Sequence, residues 1–116
     1  MAISEAYVDT GTSVSTTEYD LPSDSTSLGA VTTDGVYQCF LDLNALAAGD
    51  TFRFTVYEKV YGAATQRKVF SQTFYGAQVT PVWASPSLIL LHGWTMSLIK
   101  VGGTDRSIAW SIRSVA

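Results

Sequence analysis

The stretch TFRFTVYEKVY, residues 51–61, alternates apolar and polar side chains along most of its length. A period of two places successive side chains on opposite sides of a β-strand, so this stretch predicts a strand with one buried face. The polar positions of the same stretch then face outward. The side chains that we expect in the core are Phe52, Phe54, Val56 and Val60.

Similar segments lie on both sides of this strand, and short clusters of Gly, Pro, Asn, Asp and Ser separate them. Residues 62–65 read as a hairpin turn into the next strand. Segments with one apolar and one polar face require two packed antiparallel sheets. We therefore predict an all-β, two-sheet β-sandwich, jelly-roll-like, with seven to eight strands. The further strands are expected over residues 36–43, 66–75, 87–91, 94–101 and 106–115.

The chain has 116 residues, which is enough for one domain. Residues 1–33 are richer in Ser and Thr than the rest, and we expect an extended N-terminal arm with one or two edge strands there. The β-sandwich body is expected over residues 34–116. Within it, the Ala-rich residues 44–48 precede Gly49, which favours a single helical turn closed by glycine.

The charge pattern excludes several classes of protein. Lys and Arg total 7, the net charge is −3, and the basic residues are scattered, so we expect no nucleic-acid partner. The longest aliphatic run covers only residues 88–91, so we expect no membrane partner. Charged residues are 15% of the chain, against the ~25% typical of soluble domains. Such a surface favours burial against identical subunits, so we expect a homo-oligomer.

The candidates for chemistry are few. His92 is the single histidine, and no Gly-x-Ser-x-Gly motif is present to supply a nucleophile for it. Cys39 is the single cysteine, and its apolar neighbours in the predicted strand indicate a buried structural thiol. One Cys and one His do not make a zinc site. We therefore predict no enzyme activity, no catalytic residues, no cofactor and no metal.

Four aromatic residues fall on predicted outer faces or in the loop of residues 76–86. Exposed Tyr and Trp often anchor protein interfaces, and they also stack on sugars. Cross-strand pairing on a sheet surface is a third explanation that requires no ligand. We predict that these four side chains form interfaces: Tyr57, Tyr61, Tyr75 and Trp83.

The C-terminal segments LLHGWTMSL (residues 90–98) and GTDRSIAWSIR (103–113), with LAAGDTFRFTVYEKV (46–60), resemble small β proteins of tailed-bacteriophage structural genes. Head decoration, or cement, proteins of such phages are similar in size and build. The resemblance implies a non-enzymatic virion protein, made in the host bacterial cytoplasm. It would bind the major capsid protein or another virion protein, commonly as a trimer, and stabilise the head between capsomers.

Two alternatives remain open at this point. The first keeps the protein in the virion but places it at the head–tail connector or in the tail. The second is a carbohydrate-binding β-sandwich module, in which Trp83 with Tyr75 or Tyr57 forms the stacking platform.

Overall fold

The computed structural model describes residues 2–115, and all its regular structure is β. No helix in this part of the chain is long and apolar enough to cross a membrane. Neighbouring strands pair antiparallel throughout. The strands are β1 (Ile3–Val14), β2 (Tyr19–Asp20), β3 (Gly35–Asp42), β4 (Thr51–Glu58), β5 (Arg67–Tyr75), β6 (Val82–Ala84), β7 (Leu88–Leu90), β8 (Thr95–Gly102) and β9 (Arg106–Val115).

The strands form two sheets that pack face to face. Sheet A has the order β1-β9-β3-β6, with β7 also paired to β3, and sheet B has the order β2-β8-β4-β5. Because β6 and β7 lie end to end along the same edge of β3, each sheet has four strand positions. β1 thus pairs with β9, β2 with β8, β3 with β6 and β7, and β4 with β5. This is the jelly-roll arrangement, and the predicted fold class is confirmed.

The core lies between the two sheets and is built from the alternating apolar positions of the long strands. Trp94, Phe52 and Phe54 are its largest fully buried side chains. Trp94 packs against Tyr37 with the ring centroids 4.4 Å apart and the ring planes tilted by 43°, which links the two sheets through an aromatic pair. The other buried core positions on β3, β4, β8 and β9 are Cys39, Leu41, Val56, Met96, Leu98, Ile108, Trp110 and Ile112.

The extended N-terminal arm expected over residues 1–33 is not confirmed. Ile3–Val14 forms edge strand β1, with register pairs from Ile3↔Val115 to Val14↔Arg106. Its backbone is tied to β9, and its buried Val14 side chain belongs to the core. The structure therefore matches the expected edge strand in this region, but not the expected extended arm.

The helical turn expected over residues 44–48 is wrong, because two consecutive turns replace it. The Leu46 N–H donates to the Leu43 carbonyl at 3.1 Å, three residues back. The Ala47 N–H donates to Asp50 Oδ2 at 2.9 Å, so a side chain takes the donor that a helix would use. Gly49 does adopt a positive φ of 91°, as expected for the residue that ends this segment.

Candidate functional site

The outer face of sheet A, which we name the apolar face, presents aliphatic and aromatic side chains to solvent. Ile89 is 84% exposed, Ile3 70% and Val8 58%. Exposed apolar residues are common singly, but several on one sheet face mark a candidate interaction surface, and here polar residues such as Gln38 and Ser111 lie among them. The apolar face consists of Ile3, Val8, Val36, Phe40, Val82, Ala84, Ile89, Ala109 and Val115, on all five strands of sheet A.

Phe40 and Arg113 form the centre of this face. The Arg113 guanidinium carbon lies 3.7 Å from the centroid of the Phe40 ring, a cation–π contact. Phe40 also lines two shallow grooves. One, of about 170 Å³, runs past Val36 and Val115; the other, of about 270 Å³, runs past Val8 and Val82. Arg and aromatic side chains beside grooves are typical of the centres of protein interfaces.

Three charged side chains lie on the apolar face: Arg113, Glu5 and Asp42. Glu5 is the register partner of Arg113 across β1 and β9, and Asp42 lies at the end of β3. The ion pairs within residues 2–115 involve other side chains, Lys100 with Asp105 and Arg106 with Asp50. Arg113 therefore has no carboxylate partner within the described chain, and the aromatic ring is its main contact.

The outer face of sheet B, which we name the polar face, has the opposite character. Its central side chains are Thr55, Tyr57, Thr95 and Ser97, and all four are buried although they point away from the core. The N-terminal segment crosses this face and supplies two carboxylates, Glu18 and Asp20. The polar face is thus covered by the chain's own residues.

Glu18 connects two strands of the polar face. Its Oε2 accepts hydrogen bonds from the Tyr57 hydroxyl and the Ser97 hydroxyl, each at 2.5 Å. Burial of the phenol, and next its hydrogen bond to Glu18, raise the pKa of Tyr57 to about 12. The phenol therefore stays protonated as a donor throughout the neutral range.

Asp20 is 1% exposed, and its carboxylate is fully used inside the molecule. One oxygen accepts from the Ser23 N–H at 3.1 Å and the Ser23 hydroxyl at 2.6 Å. The other accepts from the Gly29 N–H at 3.1 Å and from the Thr95 hydroxyl. Neutral donors from a loop and a strand thus replace water around this charge, which fixes the loop on the sheet.

The four aromatic residues predicted to form interfaces do not share a surface. Tyr61 in the β4–β5 hairpin and Tyr75 at the end of β5 are exposed, by 63% and 74%. Tyr57 is buried under Glu18, at 8% exposure, so its expected outward exposure is wrong. Trp83 points into the sandwich, where its ring centroid lies 5.3 Å from Phe54 and 5.0 Å from Phe74. An interface role stays a prediction for the two exposed tyrosines.

The two candidates for nucleophilic chemistry have structural surroundings. Cys39 is buried as expected, and burial raises the pKa of its thiol. The raised pKa keeps the thiol protonated and unreactive at neutral pH. The backbone N–H groups of Leu91 and His92 both donate to Glu58 Oε2, at 2.7 and 3.2 Å, so the His92 region serves as a turn anchored to β4.

The sequence interpretation did not include Phe40 and Arg113, although the signal for them was present. Placing Tyr37, Cys39 and Leu41 in the core leaves Val36 and Phe40 on the opposite side of the same strand. A strand that is apolar on both faces signals a second contact surface on its outer side.

No protein-family model and no curated protein matches the chain. A solved structure described as the xylan-binding domain from CBM 22 is similar to it, with 16% sequence identity and a TM-score of 0.42. The match covers 85% of this chain, which spans 64% of that domain's length. A similarity of this size carries no argument about function or ligand.

Proposed function

We propose that this chain is a non-enzymatic structural protein of a phage virion, most simply a decoration or cement protein of the head, and that it acts through the apolar face. The exposed apolar side chains around Phe40 and Arg113 carry this proposal. Their burial against protein would release ordered water and stabilise an assembly by about 25 cal/mol for each Å² covered.

The rigidity of this surface suits a cementing role. The apolar face lies on a paired sheet above a packed core, so few side chains and no backbone need to be ordered on binding. A protein that binds an assembled shell and not its free subunits stabilises the shell by mass action. Such a role requires neither a cofactor nor a charged surface.

The resemblance to phage structural proteins supports the proposal through the fold. The segments that carry it, residues 46–60, 90–98 and 103–113, include β4, the first half of β8 and most of β9. Their apolar positions, such as Trp94, Ile108 and Trp110, are buried in the core. The resemblance therefore concerns the framework that holds the apolar face in place, and Ala109 and Arg113 are residues of that segment that lie on the face.

The test is to purify particles from producing cells and quantify this chain in them by mass spectrometry, with head binding by purified protein measured in parallel. We expect many copies on each head. Val8→Asp and Val82→Asp should abolish binding to undecorated heads, because each places a charge on the apolar face. The matched control is Val79→Asp, since Val79 is fully exposed in the β5–β6 loop and is not a residue of the apolar face.

The other outcomes identify the alternatives. A six- or twelve-fold ring at the neck or tail would move the protein to the connector or tail. Absence from particles, combined with specific glycan binding, would replace the proposal with a carbohydrate-binding module. Equal head binding by the Val8→Asp, Val82→Asp and Val79→Asp variants would show that the apolar face is not the contact surface.

A further inference from the structure

We infer that the apolar face is covered by a second copy of this chain, related by a two-fold axis at Phe40, with Arg113 of each copy paired to Asp42 of the other. The inference rests on the proposed function in one respect: the chain would bind the head as this dimer, so variants of the apolar face would lose head binding because they lose the dimer. It adds that the structural unit is a dimer.

The register of β3 and β9 provides the symmetry. Along these strands Gln38 pairs with Arg113, Phe40 with Ser111, and Asp42 with Ala109. Arg113 and Asp42 therefore lie on opposite sides of the Phe40–Ser111 level, each two residues or about 7 Å away. A two-fold axis in the plane of the interface, crossing the strands at that level, places Arg113 of one copy at the level of Asp42 in the other.

The lateral distance is also compatible with an ion pair. Arg113 and Asp42 lie on neighbouring strands about 4.8 Å apart, and this offset is within the reach of a long Arg side chain. Phe40 lies on the axis itself, so the two rings meet at the centre. The Phe40 and Arg113 side chains of each copy then face the larger groove of the other copy, which has a volume of about 270 Å³ and is lined by Asp42. The surface is thus complementary to itself in shape and charge.

The mixed charges of the apolar face favour a second copy of this chain over a strongly charged partner. The apolar face carries both signs, and the whole chain has a net charge of −3. Burying Arg113 in an apolar contact without an ion pair would be costly, and within the described residues no carboxylate, including that of its register partner Glu5, lies within salt-bridge distance of it. Asp42 is exposed, and its one hydrogen bond inside the chain is accepted from the Asn44 N–H at 3.1 Å, which leaves carboxylate lone pairs available.

The area is sufficient for a weak but specific dimer. Four strands and about eight residues along each give a footprint of about 19 by 27 Å, or roughly 500 Å² per copy. Two copies then bury on the order of 1,000 Å², the lower limit for a specific interface. Two packed sheets of the same twist align at about −30°, as they do inside sandwiches.

The experiment is sedimentation velocity of the full chain over a concentration series. We expect a monomer–dimer equilibrium, and about a tenfold or greater increase in the dissociation constant for Arg113→Asp or Asp42→Arg alone, because each creates two like-charge contacts. The double variant with both changes restores opposite charges, and its dissociation constant should return to within about threefold of the wild-type value.

Lys68→Asp is the matched control, because it makes the same charge change on an exposed residue of sheet B. Far-ultraviolet circular dichroism of every variant establishes that it is folded. Three results would overturn the inference: a monomer at all concentrations, a mass equal to that of a trimer, or a double variant whose dissociation constant stays as high as those of the single variants. If the protein binds heads as a monomer, the proposed function stands and the dimer is rejected. If the protein is a dimer but is absent from particles, the dimer stands and the proposed function is rejected.

Discussion

The two outer faces of this sandwich differ in whether the chain itself covers their side chains. On sheet B, polar side chains are covered by the chain's own N-terminal segment and satisfied by Glu18 and Asp20. On sheet A, apolar side chains around Phe40 remain exposed. The polar face thus contributes to folding, whereas the proposals above assign the apolar face to association. Substitutions on the two faces should therefore be separable by measurement.

The largest expected effect is on the polar face. Asp20→Ala removes an acceptor of four hydrogen bonds and leaves the buried Thr95 hydroxyl without its acceptor, so we expect the free energy of unfolding to fall by about 3 kcal/mol. Asp42→Ala, on the apolar face, is the control and should change it by less than about 1 kcal/mol. Urea denaturation of monomeric protein measures both. Equal effects would contradict the division of roles between the faces.

A smaller effect is expected at Tyr57. Tyr57→Phe removes the donor to Glu18 and should reduce the free energy of unfolding by about 1 kcal/mol, whereas Tyr75→Phe, at an exposed position, should change nothing. Urea denaturation at pH 7 compares the two variants.

The same phenol gives a pH dependence. The folded pKa of Tyr57, about 12, exceeds the ordinary value of about 10, so its stabilisation is complete below pH 10 and is lost as the pH rises towards 12. Tyr19 titrates in the same range, because burial and then its hydrogen bond to Asp24 raise its pKa to about 12. The difference between wild type and Tyr57→Phe across this pH range therefore isolates Tyr57. An unchanged alkaline loss in the variant would refute this assignment.

The smallest effect on stability is expected on the apolar face. Ile89→Thr changes a side chain that is 84% exposed, so the free energy of unfolding should stay within about 0.5 kcal/mol. Binding of a hydrophobic dye, measured by fluorescence, should nevertheless fall, because the patch becomes smaller. Val79→Thr, in a loop, should leave dye binding unchanged, and a fall in both variants would mean that the dye does not report on the face.

Much of the fold was predictable because the long strands alternate strictly. The pattern in residues 51–56 placed Phe52, Phe54 and Val56 correctly in the core. Val60 was placed wrongly and is 84% exposed, because β4 ends at Glu58 after a register shift and the chain turns. β1 was underestimated because its Glu, Ala, Asp and Gly residues have low strand propensity, whereas the backbone of β9 provides the pairing.

The surface was harder to predict than the core. The sequence indicated that Tyr57 alternates outward, and it does, but nothing local showed that Glu18, 39 residues away, covers it. Pro81 and Pro86 flank Trp83 and favour a loop, whereas pairing of Val82–Ala84 with β3 directs the Trp83 side chain inward. Contacts between distant segments decide which outward positions remain exposed, and periodicity within one segment does not contain that information.

The pairing of the first strand with the last has a consequence for folding. Ile3 lies opposite Val115, so β1 joins sheet A only once β9 has reached it from the far end of the described residues. Closing contacts between such distant residues requires a large loss of chain entropy, which makes folding slow relative to helical proteins of the same length. The apolar face, which includes residues of both strands, is therefore complete only when this long-range pairing has formed.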